Sequence, residues 1–470
     1  MNSSKLNVFS ISFTIIAIIL ISLAIILDGT GGGGDSVFHY MYSKYAIEHP
    51  ENFFNHWAKP VYTMLSCPFA QFGFIGIKLF NVLMSLIACY WGYKTLEVLK
   101  IKNREWYPTI LFSIILFVDV TLSGLTEPLS ATMIIIAIYF VFCKKDILGV
   151  CIISFLPFVR SEGLVMICVF LIYLIVSRKY KFIPWLVTGH IIVAIIGYTY
   201  YKDFFWVFNK IPYAHLNSSY GKGTWIHFFE QLYFHFGLIE YSLLIIGLIT
   251  LLISVINKKS IVPEKLWLIY GCFVAFFFAH TCFWAMGIFN SMGLTRVFVS
   301  VVPLAAIIIL DSINNIENTI NNFLKNKTDI PKYILIIVIV IFPFLYTPSS
   351  YKIPDDFKLE ESQTLIKKEI VPYLKKRIDI KTIIVADISI PFFLNLDPFD
   401  TTKVKITSKV NNLDALKKDE IIIWDNWFSV MEANLTLENL KKIHQIKIDT
   451  TFTSKSKSGK ITNYVVFSKK

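Results

Sequence analysis

The segment 28–60 reads DGTGGGGDSVFHYMYSKYAIEHPENFFNHWAKP and lies between two long apolar runs. It holds four consecutive glycines, two aspartates (Asp28 and Asp35), three histidines and Lys59. Because glycine has no Cβ, such a run lets the chain turn sharply at a membrane surface. Residues 36–46 contain no Gly or Pro, and their spacing predicts a short helix near the interface with Asp35 at its N-terminus.

The glycine turn also matches the letters G-x-G-x-x-G of the dinucleotide-binding fingerprint. That fingerprint follows a β-strand and opens a βαβ unit, whereas this turn follows an apolar run of membrane length. The turn does not end in Gly-Lys-Ser or Gly-Lys-Thr, as a phosphate-binding loop does. The sequence therefore disfavours nucleotide binding at this turn.

The composition is that of a membrane protein. The 470 residues are 55% hydrophobic and only 17% charged, against about a quarter charged in soluble domains. The net charge of +12 lies largely in short loops between apolar runs, so it does not indicate a nucleic-acid partner. The cysteines are scattered, mostly within apolar runs, and predict neither a disulfide framework nor a metal site.

Apolar runs near spanning length recur along the first three quarters of the chain and predict about eleven spans. They are 8–27, 74–93, 107–125, 129–143, 147–159, 164–176, 182–201, 238–256, 266–286, 297–310 and 333–346. The first run is longer than a signal-peptide core and precedes no cleavage pattern, so we expect an uncleaved span. From residue 347 the pattern changes to alternating helices and short β-branched runs, which predicts a soluble α/β domain at 347–470 after a membrane domain at 1–346.

Positive charge orients these spans. With the N-terminus inside, the inside segments carry more than twice as many Lys and Arg as the outside segments, although the outside loops are longer. This assignment places the glycine turn, the polar ends of several spans and the C-terminal domain on the exterior. We therefore expect a multi-pass protein of the cell (inner or cytoplasmic) membrane with its catalytic loops and its C-terminal domain outside.

Two acids at external span ends are candidate catalytic residues. Asp35 follows the glycine turn, and Glu127 lies in LTEP at 125–128, where we expect it to face Asp35 across a cavity. Structural roles also account for both, because Asp favours turns and helix caps and an acid suits the first turn of a helix. A carboxylate in a long external loop can instead accept the proton of a reacting hydroxyl group.

Basic residues at the same ends are candidate phosphate ligands. Arg160 and Glu162 lie in FVRSEG at 158–163, and Arg296 lies in SMGLTR at 291–296. A guanidinium offers two donors to phosphate oxygens. A self-satisfied Arg–Glu pair, or an Arg that reaches towards the interface, explains the same residues structurally.

The loop 202–235 is a weaker candidate. It is rich in aromatic residues and contains His215, Lys222 and His227 around a Gly-Lys-Gly turn. Such a loop either clamps a sugar by stacking or forms an aromatic belt at the membrane interface, and the sequence does not separate the two. No histidine spacing matches H-E-x-x-H, so a zinc site is not predicted.

In their order and sidedness these motifs resemble the GT-C superfamily of integral-membrane glycosyltransferases, which use polyprenyl-phosphate-linked sugars. The resembling segments are GD at 34–35 with His39, WAKP at 57–60, SGLTEP at 123–128, PFVRSEG at 157–163, and GLTR at 293–296 before Pro303. The likeness covers roughly residues 8–310. It is nearest to bacterial members that lack an assigned substrate.

The resemblance implies an α-helical polytopic membrane protein that moves a sugar from a polyprenyl-phosphate donor to an acceptor at the external face. The expected catalytic residues are Asp35 and Glu127. The expected substrate-binding residues are His39, Lys59, Arg160, Glu162, Lys222 and Arg296. The first loop lacks the paired acids of several branches, so no metal ligands are predicted and the use of a divalent cation is left open. The tail does not match the soluble domain of oligosaccharyltransferases, which leaves a glycan, lipid or protein acceptor open.

Two other functions fit a multi-span chain. A transporter or flippase for a lipid or polysaccharide favours charges near the bilayer midplane and internally repeated halves, and the sequence shows neither. A membrane-anchored binding or assembly protein would do its work through the tail, where the acids form no recognisable motif.

The charge bias makes a topological prediction. Reporters fused after Asn103, Lys179 and Asn326 should give cytoplasmic signals, and a reporter fused after Lys470 should give an exterior signal. A cytoplasmic signal at Lys470 would contradict the sidedness on which the external site rests.

Overall fold

The computed structural model describes residues 3–212, 218, 220–258, 261–325, 329–345, 357–410, 413, 416–455, 459 and 461–470. The expected domain boundary at 346/347 and the candidate His215 lie outside the described residues.

The N-terminal part of the chain is helical. Its α-helices are α1 (Ser3–Ile26), α2 (Gly33–Lys44), α3 (Pro60–Ala70), α4 (Gly73–Val98), α5 (Tyr107–Ser113), α6 (Ile115–Thr121), α7 (Glu127–Phe142), α8 (Asp146–Ser154), α9 (Gly163–Val176), α10 (Thr188–Tyr201), α11 (Trp206–Asn209), α12 (His227–Phe236), α13 (Leu238–Ile256), α14 (Cys272–Met286), α15 (Val302–Leu324) and α16 (Ile330–Leu345).

Among the described residues, six helical segments are long and apolar enough to cross a membrane. They are Val8–Ile26, Gly73–Val98, Tyr180–Tyr201, Leu238–Ile256, Lys265–Met286 and Thr295–Leu324. Four shorter apolar segments of 10–17 residues accompany them. The expected run 107–125 divides at Ile114, whose backbone is extended, into α5 and α6. The helical membrane architecture is therefore present, whereas the expected count of about eleven spans stays a prediction.

The segment Thr295–Leu324 lies at the centre of the helical part. From Val301 to Leu310 every side chain of this segment is buried. It packs against α7 through its first turns and against α13 further along, while α7 also packs against α4 and α8. Gly247 of α13 allows one close approach, since a Cβ there would lie 2.6 Å from Ile308.

The first loop folds largely as the sequence predicts. Gly31, Gly32 and Gly33 have φ angles of +56°, +67° and +55°, in the left-handed region that favours glycine. The turn leads into α2, so the expected helix at 36–46 is present and begins three residues earlier. Asp35 lies in its first turn.

The C-terminal part contains a mixed five-stranded sheet, in agreement with the predicted α/β character. Its strands are β1 (Thr382–Val385), β2 (Val404–Ile406), β3 (Glu420–Asp425), β4 (Ile446–Lys455) and β5 (Ile461–Lys469), in the order β2-β1-β3-β5-β4. Strands β1, β2 and β3 are parallel, and β5 runs antiparallel to β3 and β4. Its α-helices are α17 (Glu361–Leu365), α18 (Val371–Lys376), α19 (Ser389–Leu394), α20 (Phe428–Met431) and α21 (Leu437–Lys441).

Apolar clusters cover both faces of this sheet. Ile383 and Ile421 face one cluster, and Ile384 and Ile422 face the other. A separate apolar cluster joins α2 to the start of α19 through Val37, Tyr40, Met41 and Ile388. The C-terminal part therefore packs on the first loop, at the end of the helical part that carries Asp35.

Candidate active site

A cavity of about 570 Å³ lies beside the N-terminal turn of α2. Its wall is mainly apolar and includes Leu164, Val165 and Cys168 of α9 and Phe283 of α14. The charged side chains that line it are three carboxylates (Asp35, Glu127 and Glu162) and three cations (Lys59, Arg160 and Arg296). Three acids and three cations therefore face a cavity whose wall is mainly apolar.

The local structure explains why the acids gather there. Asp35 lies in the first turn of α2, Glu127 opens α7, and Glu162 directly precedes α9. The amino-terminal end of a helix carries unpaired N–H groups and a partial positive charge, which favours a carboxylate. Three helices thus begin at one cavity and each brings an acid to it.

Arg160 holds two of these acids. Its Nη1 lies 2.6 Å from Glu127 Oε1 and donates to Thr126 Oγ1 at 3.1 Å, and its Nη2 donates to Glu162 Oε1 at 2.8 Å. The Glu127 side chain is 1% exposed. Burial alone raises the pKa of Glu162, but Arg160, with smaller contributions from His280 and Lys59, lowers it to about 2. Both acids raise the pKa of Arg160 above its usual range against the opposing effect of burial.

These contacts change the expected role of Arg160. Both of its Nη atoms already contact carboxylates, so a phosphate would have to displace an acid to reach them. The geometry favours Arg160 as the residue that positions Glu127 and Glu162.

Arg296 connects the glycine turn to the buried acids. Its Nη2 forms an ion pair with Asp35 Oδ2, its Nη1 donates to Gly32 O at 3.4 Å, and its Nε lies 3.8 Å from Glu127 Oε1. Arg296 therefore lies between Asp35 and Glu127, which the sequence predicted to face each other. The Asp35 side chain is 45% exposed and that of Glu127 is 1% exposed, so Asp35 is the more accessible of the two carboxylates.

Lys59 differs from the two arginines. Its Nζ donates to Ser161 Oγ at 2.7 Å, and among the described residues it forms no ion pair within 4.0 Å. Burial lowers the pKa of Lys59 to about 8, against the opposing effect of Glu162. Its backbone has φ +70° and ψ +100°, a sparsely populated conformation for a residue with a Cβ. Such strain often marks a functional side chain, and Pro60 continues directly into α3.

The structure brings seven of the eight expected site residues to this cavity, and their roles stay predictions. The seventh, His39, stacks on Trp57 with ring centroids 4.8 Å apart. Burial lowers the pKa of His39 to about 3, so its ring is neutral at physiological pH. Lys222 is exposed and does not line the cavity, so the expected contact with substrate has no support in this geometry.

Sequence reasoning missed two polar residues near the site. His280 lines the cavity from α14 and is 5% exposed. Asp119 of α6 lines a neighbouring cavity of about 340 Å³ that reaches the glycine turn and Arg296. Both interrupt apolar runs, and a polar residue within a span is itself a signal of function.

The carboxylates do not form a ligand set for a divalent cation, because each one lies against an arginine. Within the described residues, no group of three or more His, Cys, Asp or Glu side chains could hold a metal ion.

No protein-family model and no curated protein sequence matches this chain. Solved structures do. ArnT from Cupriavidus metallidurans bound to undecaprenyl phosphate matches with a TM-score of 0.62 and 9% identity over 97% of each chain. The apo state of the same protein matches with a TM-score of 0.60 and 8% identity over 97% of each chain.

The oligosaccharyltransferase of Archaeoglobus fulgidus, tethered by a disulfide bond to an acceptor peptide containing the NVT sequon, also matches. Its TM-score is 0.50 with 11% identity, over 98% of this chain and 74% of that one. At these identities the likeness shows the fold. This chain therefore shares the fold of ArnT and of the archaeal oligosaccharyltransferase.

The Arg160 contacts predict a large effect on stability. Replacing Arg160 with Met leaves Glu127 and Glu162 without their shared cation, and breaking a buried ion pair typically costs about 3–5 kcal/mol. Thermal unfolding of the purified protein in detergent should show a clearly lowered midpoint. Arg296→Met is the matched control, because its partner Asp35 is half-exposed and can be hydrated. Equal midpoints for the two variants would contradict the positioning role of Arg160.

Proposed function

We propose that this chain is a GT-C-type glycosyltransferase. It moves a hexosyl or pentosyl group from a polyprenyl-phosphate donor to an acceptor hydroxyl at the external face of the cell membrane. The observation that carries the proposal is the cavity, in which balanced carboxylates and cations lie against an apolar wall. Transfer from a sugar phosphate needs those two chemistries together, a base for the acceptor and positive charge for the leaving group.

The apolar wall supports a lipid-linked donor. Leu164 and Cys168 line the cavity, and Ile172 and Ile175 continue along α9 with exposed side chains. Residues three or four apart lie on one face of a helix, so this strip leads from the cavity along the length of α9. A polyprenyl chain can follow the strip into the bilayer while its phosphate stays in the cavity. The bound undecaprenyl phosphate of the ArnT structure supports the same class of donor.

Lys59 is the group best placed to hold the donor phosphate. It is the cavity cation without a carboxylate partner among the described residues, and its strained backbone turns it towards Ser161. As the bond between sugar and phosphate breaks, negative charge grows on the phosphate, and an ammonium group in a partly dry site stabilises it. Arg296, which forms an ion pair with Asp35, is the second candidate phosphate ligand.

Asp35 is the better candidate for the base. It is the most exposed of the three carboxylates, whereas Glu127 is buried and Glu162 is held by Arg160. In the described structure Arg296 contacts Asp35. A donor phosphate that draws Arg296 to itself frees the carboxylate to accept the proton of the acceptor hydroxyl. In this scheme Glu127 keeps Arg160 and Arg296 in place and does not meet the acceptor.

The proposed orientation follows from the charge distribution in the sequence. The N-terminus lies inside, and the cavity and the C-terminal domain lie outside. The acceptor is a glycan, a lipid or a protein of the cell envelope. The archaeal oligosaccharyltransferase structure holds a tethered acceptor peptide, so a protein acceptor is compatible with this fold. It does not favour a protein over a glycan or a lipid as the acceptor of this chain.

Substitution of Asp35 tests the assignment of the base. Asp35→Asn preserves the shape of the side chain and removes the proton-accepting charge, so the transfer rate should fall about 10²–10⁴-fold. Donor binding should persist, since Lys59 is intact. The control is Asp28→Asn, whose carboxylate is 63% exposed and, within the part of the chain that the structure describes, forms an ion pair with Lys367 at 3.3 Å. Near-normal transfer by Asp35→Asn, together with loss in Glu127→Gln, would move the base to Glu127.

The lowered pKa of Lys59 makes a pH prediction. The ammonium form, which binds phosphate, predominates below about pH 8 and is lost above it. Donor affinity should therefore be level near neutrality and fall about tenfold per pH unit well above pH 8. Lys59→Arg should remove this decline because arginine stays charged. Titration of donor binding from pH 6.5 to 9.5 measures both, and an identical decline in Lys59→Arg would show that another group is responsible.

A further inference from the structure

The glycine turn before Asp35 is packed beneath the C-terminal domain. Gly29 N donates to Phe357 O at 3.0 Å, and Thr30 Oγ1 donates to Gln363 Oε1 at 2.9 Å. Thr30 and Gln363 are each only 1% exposed. A Cβ on Gly29 would lie 2.1 Å from Phe357 O, so the approach of the two segments requires glycine there.

A phenylalanine of the C-terminal domain lies beside Gly34, the residue that precedes Asp35. A Cβ on Gly34 would lie 3.0 Å from Cζ of Phe428 and 3.3 Å from its Cε1. Gly34 belongs to the first turn of α2, and Asp35 is the next residue. The ring of Phe428 therefore lies against the helical turn that carries the proposed base.

Phe428 is itself fixed by a buried acid. Asp425, at the end of β3 and 2% exposed, accepts hydrogen bonds from the backbone N–H groups of Trp427, Phe428 and Ser429. The Ser429 hydroxyl adds a fourth, at 2.9 Å. A carboxylate with this many donors holds the short loop after β3 in one conformation.

We propose that Phe428, held in place by Asp425, is a positioning residue that sets the location of Asp35 in the active site. The inference rests on the proposed function, since it concerns the base of that reaction. The C-terminal domain then acts directly on the loop that carries Asp35. The contact joins Phe428, which follows β3, to the first turn of α2.

The consequence for catalysis is geometric. Asp35 must reach both Arg296 and an acceptor hydroxyl, and it follows glycines, whose backbone is less restricted than that of residues with a Cβ. A displacement of about 1 Å of a catalytic group can cost on the order of 100-fold in rate. The rigid ring of Phe428 against Gly34 opposes that displacement.

Reciprocal variants test the contact. Gly34→Ala adds a methyl group against the ring at a position whose backbone is helical, where alanine itself is favourable. We expect it to lower kcat roughly 10- to 100-fold with donor KM unchanged, because the base moves and the phosphate site does not. Phe428→Ala should also lower kcat, by releasing the turn. The double variant Gly34→Ala/Phe428→Leu should recover much of the rate, since the smaller side chain makes room for the added methyl.

The control is Met431→Ala, which truncates a partly exposed side chain on the same short helix and should leave kcat unchanged. Full activity in both single variants would overturn the proposal. So would a fold-loss in the double variant equal to the product of the losses in Gly34→Ala and in Phe428→Leu alone, because it would indicate two independent structural defects.

A second readout does not depend on transfer. Release of the turn in Phe428→Ala should speed cleavage between residues 29 and 35 by a broad-specificity protease, several-fold over the unmodified protein and Met431→Ala. If the unmodified protein transfers no sugar but this cleavage rises, the glycosyltransferase proposal fails and the contact stands. If transfer is normal in the unmodified protein and neither readout changes in Phe428→Ala, the contact has no positioning role.

Discussion

The ion pair between Arg160 and Glu127 is the interaction on which the arrangement of this cavity depends. Three helices begin at the cavity, and each brings an acid to a wall that is mainly apolar. An unpaired buried carboxylate costs several kcal/mol, so such a convergence is tolerable only with cations at the same place. Arg160 meets this need for Glu127 and Glu162 at once. Because both Nη atoms of Arg160 contact these carboxylates, Lys59 and Arg296 are the cations that remain to bind a ligand.

Arg296 connects the buried acids to Asp35, and the C-terminal domain packs against the glycine turn that precedes Asp35. The glycine turn gives Asp35 its place at the start of α2 but supplies no stiffness of its own. Rigidity comes from Phe428, from the backbone hydrogen bond of Gly29 to Phe357 and from the side-chain hydrogen bond of Thr30 to Gln363. In this account the helical part supplies the charges and the lipid path, and the C-terminal domain supplies the rigidity that a catalytic carboxylate requires.

Much of this was predictable from the sequence because the features are local. The glycine turn, the helix after it and the acids at helix starts follow from backbone preferences, and the order of the motifs indicated the fold. The partners of each charge were not predictable. Arg160 and Glu162 are neighbours in sequence, but the contact of Arg160 with Glu127 depends on how α7 and α9 pack, and the contact of Phe428 with Gly34 joins opposite ends of the chain. The extended residue Ile114, which divides one apolar run into two short helices, also carries no Gly or Pro signal.

The most direct test is the mass of the lipid that purifies with the protein. Native mass spectrometry of the detergent-solubilised chain should show one bound lipid whose mass fits a polyprenyl phosphate, with or without a sugar. That lipid should be lost in Lys59→Met and retained in Asp35→Asn, since the first removes the phosphate contact and the second only the base. Bulk phospholipid alone, bound equally by the unmodified protein and both variants, would contradict a polyprenyl-phosphate donor in this cavity.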